Sequence, residues 1–596
     1  MKTKEWIEIT IWVIKTVFSI NPLYATGYLV VSVISGLRAI LDTYVLAKVI
    51  DTLINIAQKG SASIEALYPL LVLLIVVEGV MLVISLFNSY FRRMFRITIS
   101  PYLNQRLYTK INSLDIQTLE DPDTNNRLTR ARENIHNITG YFRRAMSLVG
   151  NISAVISAMG IILSFMPWVI PLILLGILPG MFTDKKFRKL SWKLNIDTTE
   201  NSRITSGTTR QLGSYVFLPE IFVNRSFKFF DKKIMKFREW FMEKKKVLAK
   251  KWLLSIYAWD VIGLVPIYLG LYAILKNMIV TKISTGTVYF QLEMLRMLKA
   301  KTENMFYYYN DMFEYALKLK DVYELFQTER TFPDGIVKME KLETGPRISV
   351  ENVSFRYPHT KRFVIKDLDL RIEPGEKVAI VGHNGAGKTT LVKLICRLYK
   401  VTKGEIKIND VNVNDLVSDT LFQNVGLLYQ EYNTHGQLTA RENIIIGNPD
   451  KKVDMKKVKA AAKSADALEF IEKLPKKWDQ ILSQSYEDGI RPSTGQWQKI
   501  AIARFFYRNA PLVIFDEPTA AIDAISEYNI FNKIYEFFQN KTVIIISHRF
   551  STVRNADRII VVEEGQIIED GTHKELMDKD GYYAKSFELQ AAGYNK

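Results

Sequence analysis

The stretch LYPLLVLLIVVEGVMLVISLF, residues 67–87, contains a single charged side chain, Glu78. A helix of about 20 apolar residues crosses the hydrocarbon of a bilayer, and a water-soluble surface does not accommodate such a run. Similar runs fall at residues 23–47 and 252–275. A tight pair, MSLVGNISAVISAMGIILSF and WVIPLILLGILPGMF, is interrupted at Met166-Pro167. A sixth begins near Ile283, passes through TVYFQLEMLRML and continues into a long helical tail. Six membrane-spanning helices are therefore expected. At 596 residues the chain is too long for one core, so further domains are expected beyond them.

The connections set an orientation. Those after the second and fourth runs, residues 92–137 and 184–251, are long and rich in Lys and Arg; those after the first, third and fifth are short and carry few basic residues. Basic loops stay on the cytosolic side, so both termini and both long loops are expected there. The long loops read as helical extensions that turn back near residues 115–131 and 215–230, where Asp121-Pro122-Asp123 supplies a turn and a helix start. The net charge of +18 gathers in these loops beside the membrane, which argues against nucleic acid as a partner. The opening MKTKEWIEITIWVIKTVFSI has no small-residue cleavage site and reads as an amphipathic helix on the cytosolic membrane face.

Arg38, Asp42, Glu78, Asp260, Glu293 and Arg296 fall inside the runs, where charge is costly and must face a partner or a cavity. Arg38 and Asp42 are spaced i,i+4, and Glu293 and Arg296 i,i+3, so each pair can close on one helix face. For the set, two readings stay open: interhelical salt bridges and a polar path for a substrate.

From Arg347 the pattern becomes that of an α/β domain. ISVENVSFRYP alternates like an antiparallel strand, and KVAIVGHNGAGKTTLVKLI is a buried strand, a glycine-rich loop and a helix. The loop, Gly382-His383-Asn384-Gly385-Ala386-Gly387-Lys388-Thr389-Thr390, fits the G-x-x-x-x-G-K-[ST] pattern. In that pattern backbone N–H groups close around phosphates, the lysine reaches the β- and γ-phosphates and the hydroxyl binds Mg²⁺. PLVIFDEPTAAID is a buried strand ending in Asp516, suited to the Mg²⁺ shell, and Glu517, suited to orient and deprotonate an attacking water. TVIIISHRF is another buried strand ending in His548, a candidate γ-phosphate sensor. The single cysteine, Cys396, rules out an intramolecular disulfide and reads as a core residue of LVKLICRLYK.

These motifs, in this order, resemble the ATP-binding cassette (ABC) superfamily, and six spans with two long cytosolic loops ahead of one cassette resemble an exporter half-transporter. The resemblance implies a membrane all-α six-helix exporter domain (type IV ABC exporter-like) over residues 1–328, a linker over 329–346, and an α/β P-loop NTPase cassette with a helical subdomain over 347–596. It implies ATP and Mg²⁺ as ligands. Tyr357 would stack on adenine, and Gln430 would touch Mg²⁺, with Thr389 and Asp516, and sense the membrane domain. Asp523 would cross a dimer interface. Glu517 and His548 would be the catalytic pair, and segments near Pro122 and Pro219 would couple cassette closure to an inward-to-outward switch.

One motif departs from the family. Where Leu-Ser-Gly-Gly-Gln is usual, this chain has Pro492-Ser493-Thr494-Gly495-Gln496. Ser493, Gly495 and Gln496 are retained; Thr494 puts a β-branched residue where glycine lets backbone approach phosphate, and Pro492 removes a backbone donor. In the resemblance this motif serves ATP bound to a second chain, while Lys388, Asp516, Glu517 and His548 serve this chain's own. An intact glutamate beside an altered signature is the pattern of heterodimeric exporters with one hydrolytic site, so a heterodimer is favoured over a homodimer of two slow sites. The expected setting is a bacterial plasma membrane, multi-pass, with the lipid bilayer and a second half-transporter as partners. The cargo stays open among peptide, drug and lipid. GQWQKIA and YQEYN resemble cassettes of bacteriocin and lanthipeptide exporters, and no peptidase domain fits ahead of Leu23. The aromatics of VYF and FYYY are readable as cargo contacts or as helix packing. The alternative in another class is an ATP-gated channel or regulator with little active transport.

Overall fold

Every residue is described in the computed structural model except 2, 60–64, 66, 431, 451, 517–523, 548–552 and 595–596. The chain divides into two units, Met1–Ser113 with Pro122–Thr328, and Leu114–Asp121 with Glu329–Lys596.

The first unit is helical. Its elements are α1 (Thr3–Ile20), α2 (Pro22–Lys59), α3 (Tyr68–Asn112), α5 (Pro122–Asn134), α6 (Asn137–Leu163), α7 (Val169–Asp197), α8 (Thr199–Leu212), α9 (Leu218–Val223), α10 (Phe227–Ile262), α11 (Val265–Thr281) and α12 (Thr285–Gln327). A short α4 (Ile116–Glu120) falls in the second unit. Apolar residues at helical spacing face one another: Ala158 and Ile162 of α6, Ile170, Ile173 and Ile177 of α7, Ile267 and Ile274 of α11, and Met294, Leu295 and Leu298 of α12 share one buried cluster. Small residues let α2 and α6 cross closely, as membrane helices do. A Cβ on Gly36 would lie 2.2 Å from the Gly150 carbonyl, and one on Gly150 would lie 2.7 Å from the Ser32 carbonyl. On α3, by contrast, Ile75, Val76, Leu82 and Leu86 stay exposed, a surface suited to lipid.

Six spans were expected, and among the described residues four segments are long and apolar enough to cross a membrane: Pro22–Gln58, Tyr68–Asn112, Asn137–Leu163 and Phe227–Thr281. The other two runs are helical as well, in α7 and α12: the first is followed closely by Asp184-Lys185-Lys186, and the second carries Glu293 and Arg296 and is followed by Lys299. The run at 252–275 is not one straight helix. It breaks between Ile262 and Val265, where Gly263 N closes α10 on the Trp259 carbonyl at 2.8 Å and Pro266 lies in the first turn of α11. The N-terminal segment forms the expected amphipathic helix. Its buried stripe, Ile9, Val13 and Val17, lies within the unit, and Trp6 and Trp12 meet Tyr309 and Tyr323 of α12 at 5.1 and 5.6 Å. Of the charges in the runs, Arg38 meets Asp42 at 3.2 Å and Glu78 at 3.1 Å, and Arg296 meets Glu293 at 2.7 Å. Of these pairs, Arg38–Glu78 joins α2 to α3, and the other two close within a single helix.

The second unit has two sheets. Strands β1 (Ile348–Phe355), β2 (Ile365–Ile372), β4 (Lys403–Ile408) and β5 (Val411–Asn412) form an antiparallel sheet in the order β2-β1-β4-β5. Strands β3 (Lys377–Val381), β6 (Val425–Leu428), β7 (Leu512–Asp516), β8 (Thr542–Ile546), β9 (Arg558–Glu563) and β10 (Gln566–Gly571) form the other, ordered β10-β9-β3-β8-β7-β6. It is parallel except at the β9–β10 edge. Alternation along its strands serves two cores. Leu512, Ile514, Ile544 and Ile546 join the antiparallel sheet and α13 (Lys388–Ile395) in one cluster, which also takes in Leu421 of α14 (Ser418–Asn424). Val513, Phe515, Val543 and Ile545 face the other way, into a helical layer of α15 (Ala440–Ile445), α16 (Met455–Ser464), α17 (Leu468–Lys473), α18 (Thr494–Arg508) and α19 (Ala524–Phe537).

Candidate functional site

Parallel pairing brings the site together. Ile380 pairs with Ile546 and Asp516 with the same Ile546, so β3, β7 and β8 end side by side, and ligands bind at such carboxyl ends. The loop that leaves β3 is held in a shape only glycine allows. Gly382, Gly385 and Gly387 have φ of 144°, 81° and 106°. A Cβ on Gly382 would lie 2.0 Å from the Val562 carbonyl, and one on Gly387 would lie 2.7 Å from Ile365 Cδ1. The β9–β10 turn closes the other side, with Gly565 N donating to the Ala386 carbonyl at 3.0 Å, while His383 packs edge-on against Tyr582 at 5.1 Å.

Lys388, 5% exposed, opens α13 and donates Nζ to the Gly382 and His383 carbonyls, both at 2.9 Å. The ammonium is thus folded across the mouth of the loop. Thr389 donates its hydroxyl to Asp516 Oδ2 at 2.9 Å, which sets two hard oxygen donors next to each other at the strand ends. Such a pair fits one edge of a Mg²⁺ shell, and the glycine cradle fits a phosphate chain. Gln430 is exposed two residues beyond the end of β6. Glu517, Asp523 and His548 lie outside the described residues.

Tyr357 is half-buried. Its hydroxyl lies 3.0 Å from that of Thr390, and its ring is met edge-on by Phe355 at 5.1 Å and Tyr399 at 5.3 Å. Sequence reasoning missed the next link. The Tyr399 hydroxyl donates to the Glu120 carboxylate of α4. Around it Lys400 N donates to Gln117 Oε1 at 3.3 Å, His359 meets Asp121 at 2.8 Å, and Asp115 caps α4 through Thr118 N at 2.7 Å. Tyr429 was missed as well. Burial, and then the nearby Cys396, Asp516 and Glu120, push its hydroxyl above the ordinary tyrosine range.

The altered signature forms a complete helix cap. Ser493 Oγ accepts from Gln496 N at 3.3 Å, and Gln496 Oε1 accepts from Ser493 N at 2.9 Å, a capping box at the start of α18. Pro492 is buried, whereas Ser493 and Thr494 are exposed and Gly495 and Gln496 are half-buried. The Thr494 carbonyl accepts from the Tyr432 hydroxyl at 2.8 Å. Two arginines tie α18 down: Arg504 donates to the Asn443 and Asn433 carbonyls at 2.6 and 2.7 Å, and Arg508 to those of Val425 and Gly447 at 2.7 and 2.8 Å. Burial lowers the Arg504 guanidinium to about 10.

Residues 26–203 match the family described as ABC transporter transmembrane region, and residues 365–520 the family described as ABC transporter. The chain is 41% identical over 247 residues to an ATP-dependent lipid A-core flippase of Chromohalobacter salexigens, a match that spans 41% of each chain. It is 26% identical over 579 residues to the subtilin transport ATP-binding protein SpaT of Bacillus subtilis, covering 94% of this chain and 90% of that one. A bacterial Atm1-family ABC exporter with ATP bound has the same fold, with a TM-score of 0.77 at 19% identity over 96% of this chain and 99% of that one. With its long apolar helices and an ATP-binding cassette, the chain belongs to the ABC transporter family, as a transmembrane region of that family fused to its cassette.

Proposed function

We propose that this chain is one half of an ATP-driven bacterial exporter that works with a second, unlike half-transporter, and that its cargo is a peptide. The observation that carries the reading is the junction of the glycine cradle with the Thr389–Asp516 hydroxyl–carboxylate pair, on a chain whose other unit is built of membrane-length helices. Peptide cargo is supported by the likeness to the subtilin transport protein, which runs nearly end to end. The cytosolic position of both termini and both long loops rests on the distribution of Lys and Arg.

In this reading the backbone N–H groups of residues 383–387 bind the phosphates of ATP. Lys388 swings from the Gly382 and His383 carbonyls to the β- and γ-phosphates, and Tyr357 stacks on adenine. Thr389, Asp516 and Gln430 hold Mg²⁺, which when bound neutralises charge on the transferred phosphoryl group. Glu517 orients the attacking water and takes its proton, and His548 senses the γ-phosphate. Ser493, whose hydroxyl accepts in the capping box, keeps its own hydrogen to donate to ATP held by the other chain, with Thr494, Gly495, Gln496 and Asp523 beside it. Two segments transmit closure. One is α4, fixed by Tyr399 to the ring cluster that includes Tyr357; the other is α9, whose Phe222 and Val223 are 68% and 84% exposed. Differential affinity of the closed form for ATP drives the switch.

Uptake of peptide into inverted membrane vesicles tests the reading. ATP-dependent accumulation lost in Lys388→Ala is expected, and passive conductance without accumulation refutes it. The partner is tested separately: strong ATPase of this chain purified alone, abolished by Glu517→Gln, refutes the heterodimer.

A further inference from the structure

Helices α7, α10 and α12 line a partly open cavity of about 140 Å³. Trp252, Trp259, Phe306 and Tyr307 line it. Gly176 and Gly180, one turn apart on α7, leave the room. A Cβ on Gly180 would already lie 3.6 Å from Trp259 Cβ, and one on Gly176 would lie 3.4 Å from Gly263 Cα.

With aromatic rings and glycines alone this would be a dry void, but two polar groups in its wall lack partners. Asn310 is 1% exposed and donates Nδ2 to Asp184 Oδ2 at 2.9 Å and to the Met181 carbonyl at 3.2 Å. Both are acceptors, so the amide cannot be turned round, and its Oδ1 is buried with no hydrogen-bond partner. Asp260, on α10 within an apolar run, lines the same cavity, and among the described residues no cation or donor meets its carboxylate. The other acids of the wall are satisfied. Asp184 accepts from Trp252 Nε1 at 3.0 Å and from Arg188 Nε at 2.8 Å as well as from Asn310, and Glu303 meets Lys299 at 2.5 Å.

The Asp260 carboxylate, exposed and without a counter-charge in an apolar run, and the buried Asn310 carbonyl without a donor are both unmet demands. One kind of ligand relieves both: a group that is positively charged and carries N–H donors. The aromatic side chains of Trp252, Trp259 and Phe306 in the lining would add cation–π attraction to the same charge. An anion would meet Asp260 with repulsion, and a neutral apolar group would leave Asn310 Oδ1 as it is.

We infer that this cavity receives a cationic, N–H-donating group of the exported molecule, typified by a lysine side chain of a peptide. The inference rests on the export reading above and narrows its cargo. The test uses the full-length transporter in nanodiscs and two synthetic amphipathic peptides that differ in one atom group, a lysine and its Nε-acetylated form. Binding is read with fluorescently labelled peptide. Acetylation is expected to weaken binding about tenfold, and Asp260→Asn to remove that preference. The wild-type comparison stands without any variant, so misfolding of Asp260→Asn does not decide the matter. Equal affinity for the two peptides, no binding of either, or a preference that survives Asp260→Asn overturns the inference and leaves the cavity to water. ATP hydrolysis and ATP-driven uptake are measured on the same preparation. If they are present without a lysine preference, this inference alone fails; if absent with the preference intact, the export reading fails.

Discussion

Ser493 holds two positions at once, and substitutions separate them. As the first residue of the capping box it accepts from Gln496 N at 3.3 Å; as an exposed hydroxyl it is the proposed donor to ATP on another chain. Ser493→Ala removes both. Loss of an N-cap side chain costs about 1 kcal/mol, and for a domain of this size that lowers Tm by about 2–4 °C. Ser493→Asp keeps the cap, because aspartate caps as well as serine, and its charge is favourable at a helix N-terminus. Against a phosphate the same charge is repulsive, by about 4 kcal/mol for unit charges at 4 Å in an effective dielectric of 20. The expected result is therefore an alanine variant that melts a few degrees low and an aspartate variant that melts like the wild type. In the assembled transporter the aspartate variant loses ATP-dependent cassette closure at least tenfold, read by cross-linking across the cassette interface. An aspartate variant that closes normally would show that this helix start does not meet ATP. One that melts several degrees low would show that the cap is not what Ser493 contributes.

Three further outcomes are expected. Gly382→Ala places a Cβ 2.0 Å from the Val562 carbonyl at a φ of 144°, so fluorescent ATP-analogue binding falls at least tenfold and the cassette transition moves down by several degrees. Cys396 is 2% exposed, and burial pushes its thiol up to about 12. Its folded pKa lies above the unfolded value, so the stability it contributes is fully present below pH 9 and is lost by up to about 1.4 kcal/mol per pH unit toward pH 12. Native protein should resist alkylation at pH 8 and react once unfolded, which is checked by mass shift. Tyr399→Phe deletes the hydroxyl that donates to Glu120; peptide-stimulated ATPase should fall severalfold while nucleotide binding is kept, and unchanged stimulation would exclude this contact from coupling.

The cassette was largely legible in the sequence because its strands are short apolar runs, with residues of distinct chemistry at their ends: Gly382 after β3 and Asp516 at the end of β7. Their alignment was not legible. It is set by the pairing of Ile380 and Asp516 with Ile546, a property of the sheet rather than of any window. The same holds for Tyr399 and Glu120, which lie 279 residues apart; neither residue carries a local mark of the other. In the membrane unit, hydropathy found the helices, and the spacing of Glu293 and Arg296 already showed that they could pair; the second pair on α12, Lys299 with Glu303, lies beyond the apolar run and was not drawn from it. Gly263 and Pro266, three residues apart, were a readable signal for the break between α10 and α11. The stripe of α1 was readable as amphipathic, but its partner, the face of α12 bearing Tyr309 and Tyr323, was not.

The altered signature bears on the partner rather than on the fold. Its capping box uses the side chains and amides of Ser493 and Gln496 only, and neither departure from the family touches it. Pro492 lies before the cap, where its missing N–H is not part of the helix ladder. Thr494 is the first helical residue, where its N–H is one of the four without an intrahelical acceptor, and its carbonyl is held by Tyr432. The helix therefore loses nothing by either substitution. The change instead falls on the exposed end that would approach another molecule's phosphate, where a β-branched side chain restricts backbone approach and glycine does not. This chain's own phosphate loop, with Lys388 folded onto the Gly382 carbonyl and Thr389 bonded to Asp516, shows no matching concession. Two identical subunits would bear the altered end at both sites. Two unlike subunits would confine it to the site this chain does not catalyse, and the asymmetry between an intact loop and an altered cap fits that division of labour.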